Sequence, residues 1–162
     1  MRSFERSLPM ALLRARESVM EFFRPHLKAH GLTEQQWRVI RALHSHGEME
    51  FQGLARRICV QPPSLTGILT RLEKLHLIRR RRAADDRRRL FVSITKEGAK
   101  RFEAVSELVE GVYHDIEQQF GERRLNTLFK LLTNAQQLQR PAAASAAKRA
   151  GATRRNSKEK TG

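Results

Sequence analysis

The stretch PPSLTGILTRLEKLHLIRRRRAADDRRRLFVSIT, residues 62–95, changes its hydrophobic period once, and that change decides the fold. As far as Leu75 the apolar residues Leu65, Ile68, Leu69, Leu72 and Leu75 recur at helical spacing and form one inner stripe. Pro62 and Pro63 sit where this helix begins, because the N–H that proline lacks would be unbonded there anyway. After His76 the period becomes two. Leu90, Val92 and Ile94 alternate, and residues 77–82 can pair with them across 83–86, which predicts a β-hairpin with arginines on both arms. Upstream, Phe51, Leu54, Ala55 and Ile58 mark a short helix, and Cys59 to Gln61 leave room for a tight turn only. Helix, turn, helix and hairpin in that order make a winged helix-turn-helix.

Working outward, Thr33 to Gln36 reads as a capping box that opens a helix with Trp37, Ile40 and Leu43 on its buried face. Gly47 closes it. Leu8, Leu12, Ala15, Val19 and Phe22 give a heptad-like seam for a first helix, which Pro25 and Gly31 are expected to interrupt or end. Thr95 caps a long helix with a seam through Phe102, Val105, Val109, Val112, Ile116 and Phe120, and Gly121 breaks it. A last helix carries Leu125, Leu128, Phe129, Leu132, Ala135 and Leu138. The outer helices hold more apolar seam than one small winged domain needs, and burying each other across a dimer is its simplest use. The fold class is therefore mainly α with a small β-hairpin. Residues 1–31 form an N-terminal dimerisation helix, 32–96 a DNA-binding winged region, 97–139 C-terminal dimerisation helices, and 140–162 a disordered basic tail.

The 162 residues carry a formal net charge of +15, with 32 Lys and Arg against 17 Asp and Glu. The excess is uneven. Residues 79–89 hold +5 and residues 140–162 hold +6, which leaves an ordinary +4 over everything else. The tail has no large apolar residue and cannot offset its ordering entropy. It is either a solubilising extension or a non-specific phosphate-binding arm. Such a charge favours a polyanionic partner without naming a mechanism. No apolar run approaches 18 residues, and the N-terminus lacks a signal peptide's apolar core, so a cytoplasmic, nucleoid-associated protein without a membrane partner is expected. The lone cysteine, Cys59, excludes an internal disulfide and a multi-cysteine zinc site. No glycine-rich phosphate loop or Gly-x-Ser-x-Gly elbow is present, so no enzyme and no cofactor are expected.

The helix at 62–75 shows Pro63, Ser64, Thr66, Gly67, Thr70 and Arg71 on the side opposite its leucines. Small hydroxyl residues near a helix N-terminus can approach phosphates and base edges, and Arg71 is the one long side chain able to fork onto a guanine. An exposed polar face is the plain alternative for any amphipathic helix. The adjoining hairpin tilts the reading, because Arg82, Arg87 and Arg88 lie at its tip, where they can follow the backbone or enter the minor groove. Asp86, an acid inside an arginine cluster, is placed to orient an arginine by a fork-like pair.

Residues 54–98 resemble the MarR family of winged-helix regulators. The matching pieces are Leu54-Ala55, the run from Thr66 to Leu72, the Asp86-Arg87-Arg88 wing signature, and Ile94 to Gly98. The similarity extends over about 8–138. The resemblance implies a homodimer on double-stranded, pseudo-palindromic operator DNA, usually as a repressor. It also implies that the 62–75 helix enters the major groove, with Arg88, held by Asp86, as the minor-groove arginine. Gln61 stands where many members have Ser as the helix cap, and Cys59 replaces the commoner Gly. A basic architectural protein that coats nucleic acid without an effector is the competing reading.

The resemblance further implies a small aromatic carboxylic acid as effector, bound between the dimer helices and the winged domain. A cation near an aromatic wall is the requirement. Arg14, Arg16 and Arg38 neighbour the apolar faces of the first two helices, with Phe23, His26 and Trp37 nearby. Trp37 as a core residue, and these arginines as solvated or intersubunit ion-paired groups, are the plain alternative. Redox-sensing members carry their cysteine in the first helix, so Cys59 reads as a half-buried structural thiol. His26 and His30, four apart, and His44 and His46 read as surface histidines, and no metal is expected.

Overall fold

The computed structural model describes residues 3–138, so the basic tail expected at 140–162 lies outside the described residues. In chain order the elements are α1 (Leu8–Ala29), α2 (Glu34–His46), β1 (Met49–Glu50), α3 (Phe51–Arg57), α4 (Pro62–Lys74), β2 (Ile78–Arg82), β3 (Leu90–Ile94), α5 (Lys96–Phe120) and α6 (Glu122–Gln136). A single 3-10 turn, Phe4–Arg6, precedes α1. The strands form one antiparallel sheet in the order β1-β3-β2, with Arg80 opposite Val92 and Met49 opposite the same residue from the other side. The short β1 is the strand that the period-two reading did not contain.

Local chemistry sets the boundaries. The Gln36 backbone N–H donates to the Thr33 hydroxyl at 3.2 Å, and the Gln36 side-chain oxygen accepts from the Thr33 N–H at 2.8 Å, so the capping box forms as read. Thr95 opens α5 in the same manner, accepting from the Gly98 N–H at 3.0 Å. Its hydroxyl also donates to the His76 carbonyl at 2.6 Å, and its N–H donates to the Leu77 carbonyl at 3.1 Å. One threonine therefore fastens the base of the hairpin to the start of α5. Gly98 is buried in that joint; a Cβ there would run into the Leu77 carbonyl and stand 2.8 Å from Ile94 Cγ1.

Two expectations need correction. Pro25 does not interrupt the first helix, which runs on to Ala29. Pro25 and Glu21, whose carbonyl loses that N–H partner, are both exposed, so water can take the lost bond and the proline is tolerated. Cys59 is exposed rather than half-buried, and it sits at φ +54° in the turn between α3 and α4. Left-handed backbone favours glycine by about 1–2 kcal/mol, which gives a physical reason for the glycine commoner at this turn.

The chain divides into two compact units at Ile116/Glu117, within α5. In the first, Leu27, Ile40, Leu43, Leu54, Leu65, Leu69, Leu72, Leu77, Val92 and Val105 are almost wholly buried and form one core. Four members of the α4 stripe read from sequence, Leu65, Ile68, Leu69 and Leu72, thus face inward, whereas Leu75 caps the helix end and is 49% exposed, because the chain leaves helical geometry there. In the second unit α6 has no buried residue, and Phe129 and Leu131 are 54% and 60% exposed.

Candidate nucleic-acid interface

The outer side of α4 carries the six residues singled out in the sequence. Pro63, Ser64, Thr66 and Arg71 are exposed, and Gly67 and Thr70 half-buried. The hydroxyl of Thr70 donates to the Thr66 carbonyl at 3.0 Å, and that of Thr66 to the Pro62 carbonyl at 3.3 Å. Their protons are committed to their own helix, so these hydroxyls meet a ligand as acceptors unless they rotate. Nothing lies within 4 Å of a Cβ placed on Gly67, so the fold does not need glycine there. Among the described residues, the Arg71 guanidinium has no partner.

Six of the hairpin's seven arginines are sorted by the partner their side chains meet, and the seventh, Arg87, is exposed. Arg80 donates to Glu73 of α4, with Nε at 2.9 Å from Oε2. Arg81 donates to Glu48, with Nε at 2.8 Å, and Arg89 to Glu50 at 3.2 Å. Arg79 donates to the Ser93 hydroxyl at 3.0 Å, and Arg82 to the Arg87 carbonyl at 2.5 Å. Arg88 is different. Its side chain is 92% exposed, and it is held at its base by Asp86, whose Oδ1 accepts from the Arg88 backbone N–H at 2.9 Å and from Nε at 3.1 Å. The pair expected from the sequence forms. First the Arg88 backbone N–H and then its side chain hold the Asp86 carboxyl below the usual aspartate range.

The residues read as an effector site do not converge. Arg14 lies over the Phe4 ring at 5.3 Å from its centroid. Arg16 is engaged by Glu17 and Glu34, which Arg24 also binds. Phe23 and Trp37 are buried, Phe23 edge-on to Tyr113 at 5.2 Å and Trp37 stacked on Phe102 at 5.3 Å. His26 is half-buried, and its carbonyl meets a ring nitrogen of His30 at 2.9 Å. Arg38 donates to the Ile58 carbonyl at 2.8 Å, at the far end of α3. Among the described residues no three His, Cys, Asp or Glu side chains gather as a metal site.

Sequence reasoning missed Arg41 and Tyr113. Arg41 Nη1 donates to the Tyr113 hydroxyl at 3.2 Å, and its guanidinium lies 6.0 Å from that ring's centroid. Phe23 meets the same ring edge-on at 5.2 Å. Arg41 also shares with Arg38 and Arg57 the lining of an open cleft of about 470 Å³ between α2 and the end of α3. The available signal was that Arg41 lies one turn beyond Trp37 and that Tyr113 is the chain's single tyrosine.

A reading helix with a free outer face, followed by a hairpin whose tip carries an exposed arginine, defines a winged-helix DNA-binding regulator. Residues 32–90 match the MarR family model. The homoprotocatechuate degradative operon repressor of Escherichia coli is 46% identical over 126 residues, covering 78% of this chain and 85% of that protein. The HTH-type transcriptional regulator FarR of Neisseria gonorrhoeae is 44% identical over 126 residues, 78% of this chain and 86% of that one. The crystal structure of NadR in complex with 4-hydroxyphenylacetate superposes with a TM-score of 0.73 at 41% identity, over 86% of this chain and 99% of that chain. The chain belongs to the MarR family of transcriptional regulators.

Proposed function

We propose that this chain is a homodimeric repressor that occupies a pseudo-palindromic operator of an aromatic-acid catabolic operon and leaves it when a small phenolic carboxylic acid binds. In this reading Arg71 forks onto a guanine edge in the major groove, flanked by Pro63, Ser64, Thr66, Gly67 and Thr70. Arg88, oriented by Asp86, enters the minor groove, and Arg82 and Arg87 grip phosphates. Residues 1–31 and 97–139 form the dimer, 32–96 read DNA, and 140–162 add a phosphate-binding arm. The protein acts in the cytoplasm, by binding alone. The observation that carries the reading is the exposure of Arg88, whose side chain is 92% exposed with only its base held by Asp86, whereas the glutamate-bound Arg80, Arg81 and Arg89 are 25%, 55% and 44% exposed.

For the effector, the Arg41–Tyr113 pair supplies a cation and a hydroxyl beside the buried ring of Phe23, the chemistry that clamps an aromatic carboxylate. Relatives support the class of ligand: one is named for homoprotocatechuate degradation and another was crystallised with 4-hydroxyphenylacetate. Footprinting on the upstream intergenic DNA, followed by titration with 4-hydroxyphenylacetate and 3,4-dihydroxyphenylacetate, tests the whole reading. A protected palindrome that one of these acids releases is expected. Equal affinity for intergenic and random DNA would leave only a nucleic-acid-coating protein. Arg41→Met should keep the footprint and blunt its release. An unchanged response to acid in that variant would move the effector site elsewhere.

A further inference from the structure

The wing sheet has two faces, and strand alternation assigns its residues to them. Arg80, Val92 and Met49 share one row, and Val92 is fully buried, so this is the inner face. Arg81, Phe91 and Glu50 share the next row and lie on the outer face. Arg89 and Glu48, each just before the start of its strand and two residues from Phe91 and Glu50, join them. The outcome is a closed cluster. The guanidiniums of Arg81 and Arg89 stand 4.7 and 5.2 Å from the centroid of the Phe91 ring, and each is engaged by its own glutamate, Glu48 and Glu50. Asp85 adds a second carboxylate 3.8 Å from Arg89. Each arginine is therefore neutralised by an acid and flattened on an aromatic face. The Arg81 and Arg89 side chains are 55% and 44% exposed, against 92% for Arg88.

This arrangement bears on selectivity. An arginine that reaches phosphate releases counterions from any sequence, and a free one adds most to the non-specific mode, in which no base contact fixes the wing's register and it can swing onto whichever phosphate is near. Each unrestrained wing arginine therefore narrows the margin of operator over random duplex. We propose that Glu48 and Glu50 are specificity-determining residues: by pinning Arg81 and Arg89 on Phe91 they withhold two wing arginines from phosphate and leave the grip to the hairpin tip. The acids lie just before α3 and the arginines 33 and 39 residues further on, so the lock also ties the wing to the helix-turn-helix. The proposal rests on the DNA-reading assignment above.

The test is a salt series of dissociation constants on random duplex and on the upstream intergenic duplex, for the native chain and two double variants. In Glu48→Gln/Glu50→Gln the arginines lose their counter-charges. The random-duplex slope of log K against log salt should steepen by about 1.8, roughly 0.9 for each phosphate newly neutralised, and random-duplex affinity should rise about tenfold at 0.15 M salt. The preference for intergenic DNA should fall. In the otherwise native chain, Arg81→Met/Arg89→Met should leave both slopes unchanged, because those arginines are already withheld. A flat or shallower random-duplex slope in the glutamine variant would overturn the proposal. So would a loss of slope in the methionine variant, since it would mean that the two arginines reach phosphate in the native wing. If the native chain shows no preference for intergenic DNA, the specific-repressor reading fails, while the random-duplex slopes still decide on the lock.

Discussion

The winged-helix body and the outer helices are built from the same amphipathic pattern, and they end in opposite situations. In the body, the stripe of α4 finds its partners within the chain, and Leu65, Leu69 and Leu72 are wholly buried. In α1 the equally regular seam stays open, with Leu8, Leu12, Val19 and Phe22 exposed at 53%, 41%, 42% and 37%. In α6, Leu128, Phe129 and Leu131 are exposed as well. Periodicity predicts that a helix forms and which face is apolar, but not what covers that face. An exposed apolar seam on a folded chain marks a contact with another molecule. A second copy is the occupant in the function proposed above, since a pseudo-palindromic operator would call for a two-fold reader.

The sharpest way to break this comparison is to charge the open seams. Leu12→Asp combined with Phe129→Asp should leave the winged body folded, since neither residue belongs to its core, and yield a monomer by sedimentation. Operator affinity should fall by about 10²–10⁴-fold, the usual range lost when two linked half-sites bind separately. A charged variant that remains dimeric with full affinity would show that the seams are not the interface.

Next in size is the buried counterpart. Leu69→Ala removes a wholly buried side chain from the body, and should cost about 2–5 kcal/mol of stability, read by denaturant unfolding. Gly98→Ala probes the same body at its joint with α5, where the added methyl meets the Leu77 carbonyl rather than open space. It too should lower the melting temperature, without changing the oligomeric state. If either variant dissociated the dimer and left the melting temperature unaltered, body and seams would not be separable as argued.

A smaller effect concerns the acid cluster that joins α1 to α2. Hydrogen bonding from Arg24 draws the Glu17 carboxyl below its ordinary value of 4.5. For Glu34 burial pushes upward, but the bonds from Arg24 and Arg16 outweigh it and the net direction is also down. A carboxylate with a depressed folded pKa adds stability that is fully present above its unfolded value and is lost as pH falls through the folded one. The melting temperature should therefore be flat from pH 7 to about 5 and decline below about 4.5. Replacing Arg24 by Met should make that decline shallower. An identical acid profile in the variant would show that the cluster does not hold α1 on the body.

How much of this was legible in the sequence follows from the range of each interaction. Contacts within a few residues were readable: the Thr33 capping box, the Thr95 cap, the α4 stripe and the hairpin all rest on local spacing. That Asp86 orients an arginine was readable in the same way, while the choice of Arg88 came from the family resemblance. Contacts that depend on tertiary placement were not. Arg41 meets Tyr113 across 72 positions, and Arg81 meets Glu48 across 33, and no period encodes either. The arginine cluster was therefore visible as charge, while its division into pinned and free members was not. Pro25 was misread for a related reason, since its effect on the helix depended on whether that side of α1 faces water.

The smallest expected effect contrasts two glycines and tests the reading face directly. Gly98 is walled in by backbone, whereas a Cβ on Gly67 would touch nothing. Gly67→Ala in mid-helix should therefore stabilise the free protein by about 0.5–1 kcal/mol, because alanine gives up less backbone freedom on folding. The same methyl projects from the outer side of α4, beside Thr66, Thr70 and Arg71. If that face approaches base edges as closely as proposed, the thermal gain comes with weaker operator binding, while random-duplex affinity stays as it was. A stabilised variant that binds operator with native affinity would mean that α4 stands off the groove floor at Gly67, and that the wing carries more of the recognition than the helix.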